Sequence, residues 1–378
     1  GLVIASVTND FDNKSRPGAN ALYDIGADEF DGIAPPANDG RATAFIDPTG
    51  PGIKPSNTAF SPQASFTNLG TLDQSAVTVR YRIVDAGSTE VYNQTAIIAS
   101  LPSQTTATAT FPPATIAVAG SYTIFARIEL VVDTVPANDQ ISSTLSVSNP
   151  LAGTYTVGSG GDYASLTNGG GAFQALNNLG ASANVTLNII ADLSGETGAI
   201  GLNQLAAGIT TRIQPTGAAR AIIGSSATSL IRFDGADGVT VDGSLTGGTA
   251  AAVVGGDAAL RNLTISNTSA VAGAAVIQVA SGATGAQNVT LRNLNLFGQD
   301  PTLSLAGIVV GGPTPGSAGA DNDNIRIENN SIRRAVIGVY NAGASAANQN
   351  AGTVVTRNDL TGTGADRLRR AVAGAGQG

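Results

Sequence analysis

The sequence predicts an all-β chain, an immunoglobulin-like β-sandwich followed by a right-handed parallel β-helix, and three observations predict it. A short pattern returns in the second half: Val239-Thr240-Val241-Asp242-Gly243, Ala258-Ala259-Leu260-Arg261-Asn262, Val289-Thr290-Leu291-Arg292-Asn293, Ile325-Arg326-Ile327-Glu328-Asn329 and Val354-Val355-Thr356-Arg357-Asn358. The first half instead carries seven short strand-like stretches separated by turns within about a hundred residues, the pattern expected of a sandwich. The composition has 48 Gly, 42% hydrophobic and only 4% aromatic residues, which suits thin coils filled by small and β-branched side chains.

Each copy alternates inward with polar residues, the signature of a strand with one buried face. Each then reaches Asn or Gly, which enter a left-handed corner most cheaply. An apolar residue follows: Leu245, Ile265, Leu296, Ile332 or Leu360. The corner residues 243, 262, 293, 329 and 358 are spaced by 19, 31, 36 and 29, periods typical of solenoids. Constant strands with variable intervals place insertions in loops, while coils stack about 4.8 Å apart. Asn residues at equivalent corners then stack as ladders of amides.

Composition excludes several functions. The net charge is −8 with two lysines, Lys14 and Lys54, so a phosphate-binding face and a nucleic-acid partner are not expected. Arg333-Arg334 and Arg369-Arg370 read as solvated doublets. The chain has no Cys, Met, His or Trp, which removes disulfides and thiolate or imidazole chemistry. Without Met, residue 1 reads as the start of a processed or excised chain. No run is apolar enough for membrane insertion.

In chain order, residues 1–33 hold a short strand at Leu2 to Val7, an acidic loop, and Tyr23-Asp24-Ile25-Gly26-Ala27-Asp28-Glu29-Phe30. Arg16-Pro17 with Asp24-Ile25-Gly26-Ala27 and Glu29 resembles the segment that closes many bacterial surface β-helices. In those proteins it follows the last coil, whereas here it comes first. Residues 34–149 are read as the sandwich, with strands at Thr43–Ile46, Gln63–Thr67, Val77–Val84, Val91–Ile98, Thr105–Phe111, Ser121–Val132 and Ile141–Val147. Phe66 to Thr71, Val77 to Ile83, Tyr122 to Val132 and Asn138-Asp139 resemble the cell-adhesion-related domain found in bacteria, which implies a spacer or adhesion module.

Residues 150–378 are read as the β-helix. Ala172–Leu179 has helical apolar spacing at 172, 173, 175, 176 and 179, and a helix there would cover the first coil. Val185–Ile190 and Thr211–Gln214 open the stack. The opening from Gly153 to Tyr163 and the stretch Phe233 to Gly243 are similar to pectin-lyase-like repeats of secreted bacterial proteins. The last coil is expected to end at Leu360, uncapped.

Catalysis is not expected. Pectin-lyase-like hydrolases use paired acids with His, and His is absent. Asp234, Asp237 and Asp242, the cluster Asp321-Asn322-Asp323, and Arg292, Arg326 and Arg333 read as a solvated face. A polysaccharide lyase or glycoside hydrolase is the alternative, and a passive glycan-binding spacer is the third reading. No cofactor is expected, calcium apart: Asp10, Asp12, Asp321 and Asp323 offer oxygen ligands at alternate positions, although turn-forming Asx residues also account for them. Lys54 reads first as a single exposed lysine beside Pro55, the alternative being an amide crosslink to an Asn helped by Glu90 or Glu129. The expected role is a secreted, extracellular structural or adhesive protein of the bacterial cell surface, with copies of itself as partners and surface glycans as the further candidate. Residues 1–33 would complete a neighbour's β-helix head to tail, a contact that propagates into a filament or is made covalently in a tandem array, the alternative being a fold-back onto residues 363–378 of the same chain. The interface residues are Leu2, Val3, Ile4, Val7, Tyr23, Ile25 and Phe30 at one end, and Val354, Val355, Leu360, Leu368 and Val372 at the other.

Overall fold

The computed structural model describes residues 36–248, 253–345 and 347–375. These fall into two compact units that meet between Ser148 and Asn149.

The first unit is a sandwich of eight strands, in chain order β1 Gly40–Asp47, β2 Gly52–Pro55, β3 Gln63–Asn68, β4 Gln74–Asp85, β5 Glu90–Leu101, β6 Thr106–Thr110, β7 Gly120–Glu129 and β8 Gln140–Ser148. One antiparallel sheet runs β1-β3-β6, and the other runs β2-β8-β7-β4-β5 with only β2 and β8 parallel. All seven expected strands are present, and β2 is an addition. The strand expected to reach Val132 ends at Glu129, and Val131 is fully exposed in the loop that follows. Alternation in β4 turns Val77, Val79, Tyr81 and Ile83 inward, where Tyr81 packs against Phe111 with ring centroids 5.4 Å apart.

The second unit is a three-sheeted parallel solenoid. β9, Leu151–Val157, leads into a helix, α1, at Ala172–Leu179. Gly180, at φ 66°, ends the helix in the left-handed region. Six coils follow among the described residues. The first is β10 Ala181–Ile189, β11 Leu193–Glu196 and β12 Leu202–Asn203. The second is β13 Thr211–Pro215, β14 Arg220–Gly224 and β15 Ser229–Asp234. The third is β16 Val239–Asp242, β17 Leu263–Asn267 and β18 Ala275–Ala280. The fourth is β19 Thr290–Arg292, β20 Leu294–Phe297 and β21 Ala306–Gly311. The fifth is β22 Arg326–Glu328, β23 Ser331–Arg333 and β24 Ala335–Ala342. The sixth is β25 Val354–Thr356, a single bridge at Asp359, and β26 Leu368–Ala375.

Strands of equal position stack in register, so side chains form columns. Leu187, Ile213, Val241, Leu291, Ile327 and Val355 make one inward column. Ile231, Ile277, Ile308, Val339 and Val372 make another. The helix adds Ala172, Phe173 and Leu176 to this core, with Phe173 6.2 Å from Phe233.

Three expectations about the repeat are corrected. Ala258–Leu260 is a 3-10 turn inside a long insertion between β16 and β17, not a strand. The true spacings are therefore 26, 28, 50, 36 and 28 residues, from Val185 to Thr211, Thr211 to Val239, Thr240 to Thr290, Thr290 to Arg326 and Arg326 to Val354. Leu245 belongs to this insertion and is 42% exposed rather than in a second strand. In the last coil the register moves by one: Arg326 stacks on Val354, so Arg357, not Asn358, occupies the corner of Asn329. Asn293, Asn329 and Arg357 sit there at φ 58°, 53° and 56°. Gly243 shares the corner for a different reason, since a Cβ there would lie 1.8 Å from the Asn293 carbonyl oxygen.

The expected ladders are present. Asn329 Nδ2 donates to Asn293 Oδ1 at 2.7 Å, and Asn293 Nδ2 donates to Asp242 Oδ1 at 2.7 Å. At a second corner the backbone and side-chain amides of Asn330 donate to Asn358 Oδ1 at 2.8 and 3.0 Å. At a third, Asn322 donates in the same way to Asn350 Oδ1 at 3.1 and 3.2 Å. From the third coil to the sixth, neighbouring coils are thereby linked at their corners by side-chain amides, which satisfy polar groups buried in the thin core.

Candidate functional site: the terminal coil of the solenoid

Among the described residues, the sixth coil differs from the five before it in being covered on one side only. β25 and β26 are the last strands of their sheets, and no strand among the described residues pairs with their far edges. The inward columns show the consequence. Ile231, Ile277, Ile308 and Val339 are each 0% exposed, whereas Val372 below them is 52% exposed. Val355, Leu360 and Leu368 are only partly buried against the same core. Backbone N–H and C=O groups on such an edge are ready to pair with another extended segment.

This placement sorts the residues expected at the interface. Val355, Leu360, Leu368 and Val372 lie together on the terminal coil. Val354 also lies there but stacks on Arg326 in the outward row of its sheet, so its 43% exposure is that of an outer face. The coil extends beyond Leu360, its expected end, because Leu368–Ala375 pairs with β24. Leu2, Val3, Ile4, Val7, Tyr23, Ile25 and Phe30 lie outside the described residues, as do Asp10 and Asp12.

The insertion that interrupts the repeat braces this end. From β16 in the third coil it reaches the corner of the fifth, where Asp257 N donates to Asn329 Oδ1 at 2.7 Å and Asn329 Nδ2 donates to Asp257 O at 3.0 Å. Gly256, at φ 70°, makes the close approach, since a Cβ would meet Asn329 Oδ1 at 2.1 Å and Arg357 O at 2.4 Å. Arg261 then enters the core side of the turn, with its Nε 3.1 Å from Asn329 O and its Nη1 3.8 Å from Asp359 Oδ2. Burial, chiefly, lowers the Arg261 pKa, and the neighbouring Arg333 adds to this. Arg333 Nη2 meets Asp359 Oδ2 at 2.5 Å. Burial works to raise the Asp359 pKa, but hydrogen bonds from Thr361 and Arg333 outweigh it and hold the carboxyl below its usual range. Nothing in the sequence pointed to this brace. Arg261 was hidden in a false repeat, and Arg333 is not a solvated residue but an ion-paired one with 15% side-chain exposure.

The remaining candidates are engaged structurally. Asp242 is fully buried and accepts from Arg212 at 2.6 Å and Arg292 at 2.8 Å, so it is not part of a solvated face. Arg326 and Arg357 each lie 2.8 Å from Glu328. Asp234 pairs with Arg232 at 2.7 Å, and Asp237 accepts from Gln204 and from Gln287 N. Asp323 Oδ1 accepts from Ala351 N at 2.7 Å, 28 residues on and one coil further along, while Asp321 takes φ 56°. Among the described residues, no three His, Cys, Asp or Glu side chains gather as a metal site. Lys54 pairs with Asp47 at 2.5 Å and lies over the Phe60 ring. Glu90 and Glu129, its expected helpers, are held by Arg82 at 2.5 Å and Arg80 at 2.7 Å on the outer face of the larger sandwich sheet. Among the described residues, no helix is long and apolar enough to cross a membrane.

No family model matches the chain, and no curated protein matches it. Among solved structures, it is similar to a CARDB domain from Pyrococcus furiosus, crystallised in complex with di-metal ions. That likeness has 22% identity and a TM-score of 0.25, and covers 34% of this chain and 99% of that one. The solution structure of the same domain gives 22% identity and a TM-score of 0.23, over 30% of this chain and 97% of that one. A putative beta-galactosidase from Bacteroides fragilis gives 11% identity and a TM-score of 0.21, over 48% of this chain and 41% of that one.

Proposed function

We propose that the chain is an extracellular structural or adhesive subunit of a bacterial surface, and that its solenoid is lengthened by strand addition at the terminal coil. The observation that carries this is Val372: it ends an inward column whose other members are fully buried, yet is 52% exposed. Covering it would contribute about 1 kcal/mol, roughly half the value of burying a valine outright. Pairing the edges of β25 and β26 would add backbone hydrogen bonds at about 0.5–1.5 kcal/mol each. The proposed occupant is residues 1–33 of a second copy, because Leu2 to Val7 is a short apolar run of strand length and Tyr23 to Ala27 alternates apolar or small residues with polar ones or glycine. One surface is joined to a different one, so the contact does not close on itself and yields filaments.

The absence of cysteine makes the test direct. Single variants Ile4→Cys and Val372→Cys, mixed and oxidised, should crosslink between chains, and electron microscopy of the native chain should show fibres. A double variant that crosslinks only within its own chain, together with monodisperse particles, would overturn the proposal.

A further inference from the structure

In the sandwich, the connection from β7 to β8 runs over the start of β1 and is tied to it. Asp133 accepts Gly40 N on Oδ2 and Val135 N on Oδ1, both at 2.7 Å. Thr134 Oγ1 donates to Asn38 O at 2.9 Å, and Asn138 Nδ2 donates to Asp39 Oδ1 at 2.9 Å. The connection ends at Asp139, which is 5% exposed. Two buried atoms are left over: Asp139 Oδ1 and Asn138 Oδ1 have no hydrogen-bond partner among the described residues. The nearest cation, Arg127, stands 3.7 Å from Asp139 Oδ2, well beyond a charge-assisted hydrogen bond. Burial first, then the charge of Asp133 and a hydrogen bond between the two carboxyl groups, raise the Asp139 pKa against the opposing pull of Arg127.

Buried acceptors are ordinarily satisfied, and two adjacent orphans call for an explanation. Both orphans are oxygens, and the acid beside them is a second carboxylate. Hard divalent cations take such donors, carboxylates together with amide carbonyls, and calcium completes about six to eight ligands with water. We propose that Asp133, Asn138 and Asp139 bind a calcium ion that fastens the β7–β8 connection to β1. The cation would neutralise the two facing carboxylates and fill the vacant lone pairs of both orphan oxygens. It enters from the solvent side of a connection whose Val131 and Val132 are 100% and 63% exposed.

Two other occupants would satisfy the same atoms: a proton shared between Asp133 and Asp139, or a buried water. The full chain, stripped with chelator, is titrated with calcium chloride by calorimetry, and its melting is followed alongside. Calcium at a few times its Kd should raise the melting temperature of the sandwich by about 4–8 °C. Asp133→Asn and Asp139→Asn should each abolish that shift, while Asp323→Asn retains it. Asp133→Asn serves if Asp139→Asn does not fold. An absent shift up to about 10 mM calcium, far above the Kd of extracellular calcium modules, would leave the proton or the water as occupant and overturn the proposal. A full shift in both variants would overturn it too.

Discussion

The two units solve the problem of burying polar groups in opposite ways. The solenoid buries many and pairs them along its axis: Asp242, Asn293 and Asn329 are each within 1% of full burial and form one continuous chain of hydrogen bonds. The sandwich fills its centre with bulky rings and leaves Tyr81 Oη, Asn138 Oδ1 and Asp139 Oδ1 unpaired among the described residues, against Thr211 Oγ1 and Arg220 Nε in the longer solenoid. Repetition is the cause. Stacked coils place like residues about 4.8 Å apart, a spacing at which one amide can donate to the next. Antiparallel strands facing another sheet meet unlike neighbours, so each polar group must find its own partner.

The sharpest way to break the solenoid's side of this contrast is Gly243→Val. A Cβ there meets the Asn293 carbonyl oxygen at 1.8 Å, and backbone on both sides cannot yield without parting two coils. The loss should exceed about 3 kcal/mol, the upper range for overpacking, read as lost solenoid unfolding amplitude in urea. Next in size, Asn329→Ala removes the partner of Asn293 Oδ1, Asp257 N and Arg261 at once. It should cost about 2–3 kcal/mol and expose the insertion to proteolysis, because buried donors and acceptors are then left unpaired.

Acid should separate the units by sign. Asp359 in the solenoid has a lowered pKa, so its contribution is present above 3.8 and lost as pH falls through its folded value. Asp139 in the sandwich has a raised pKa, so in calcium-free buffer the sandwich loses stability as pH climbs from 3.8 through the folded value, and regains it on acidification. Calorimetric transitions that move in opposite directions on acidification would sharpen the comparison, and parallel movement would break it. The smallest effect is expected at Tyr81→Phe. Its hydroxyl is buried without a partner, and burial raises its pKa beyond the normal phenol range. Removing it should leave the sandwich unchanged or up to about 1 kcal/mol more stable, whereas a loss above that would reveal a partner in solution.

Much of the fold was legible because both periods are local. Local strand and turn signals mark seven of the eight sandwich strands, all but Gly52–Pro55, and Val239–Asp242, Thr290–Arg292 and Arg326–Glu328 were found as stacked strands from alternation. Register was legible only where the corner residue repeats. It slipped by one at Arg357, because an arginine took the left-handed corner and the next residue, Asn358, had the expected identity. The false copy at Ala258–Asn262 failed for a related reason: three residues of alternation do not distinguish a strand from a 3-10 turn.

The sequence by itself determined the all-β class, the change of architecture near residue 149 and the inward columns, since these depend on side-chain alternation and on spacing that any coil must repeat. Tertiary structure alone decided that Val372 stands half-exposed at the foot of a buried column among the described residues, and that Arg261 crosses coils to reach Asn329 and Asp359. Such contacts join residues 68 or 98 positions apart through an insertion with no period of its own. Their geometry exists only once the columns have formed and given the insertion a surface to fold along.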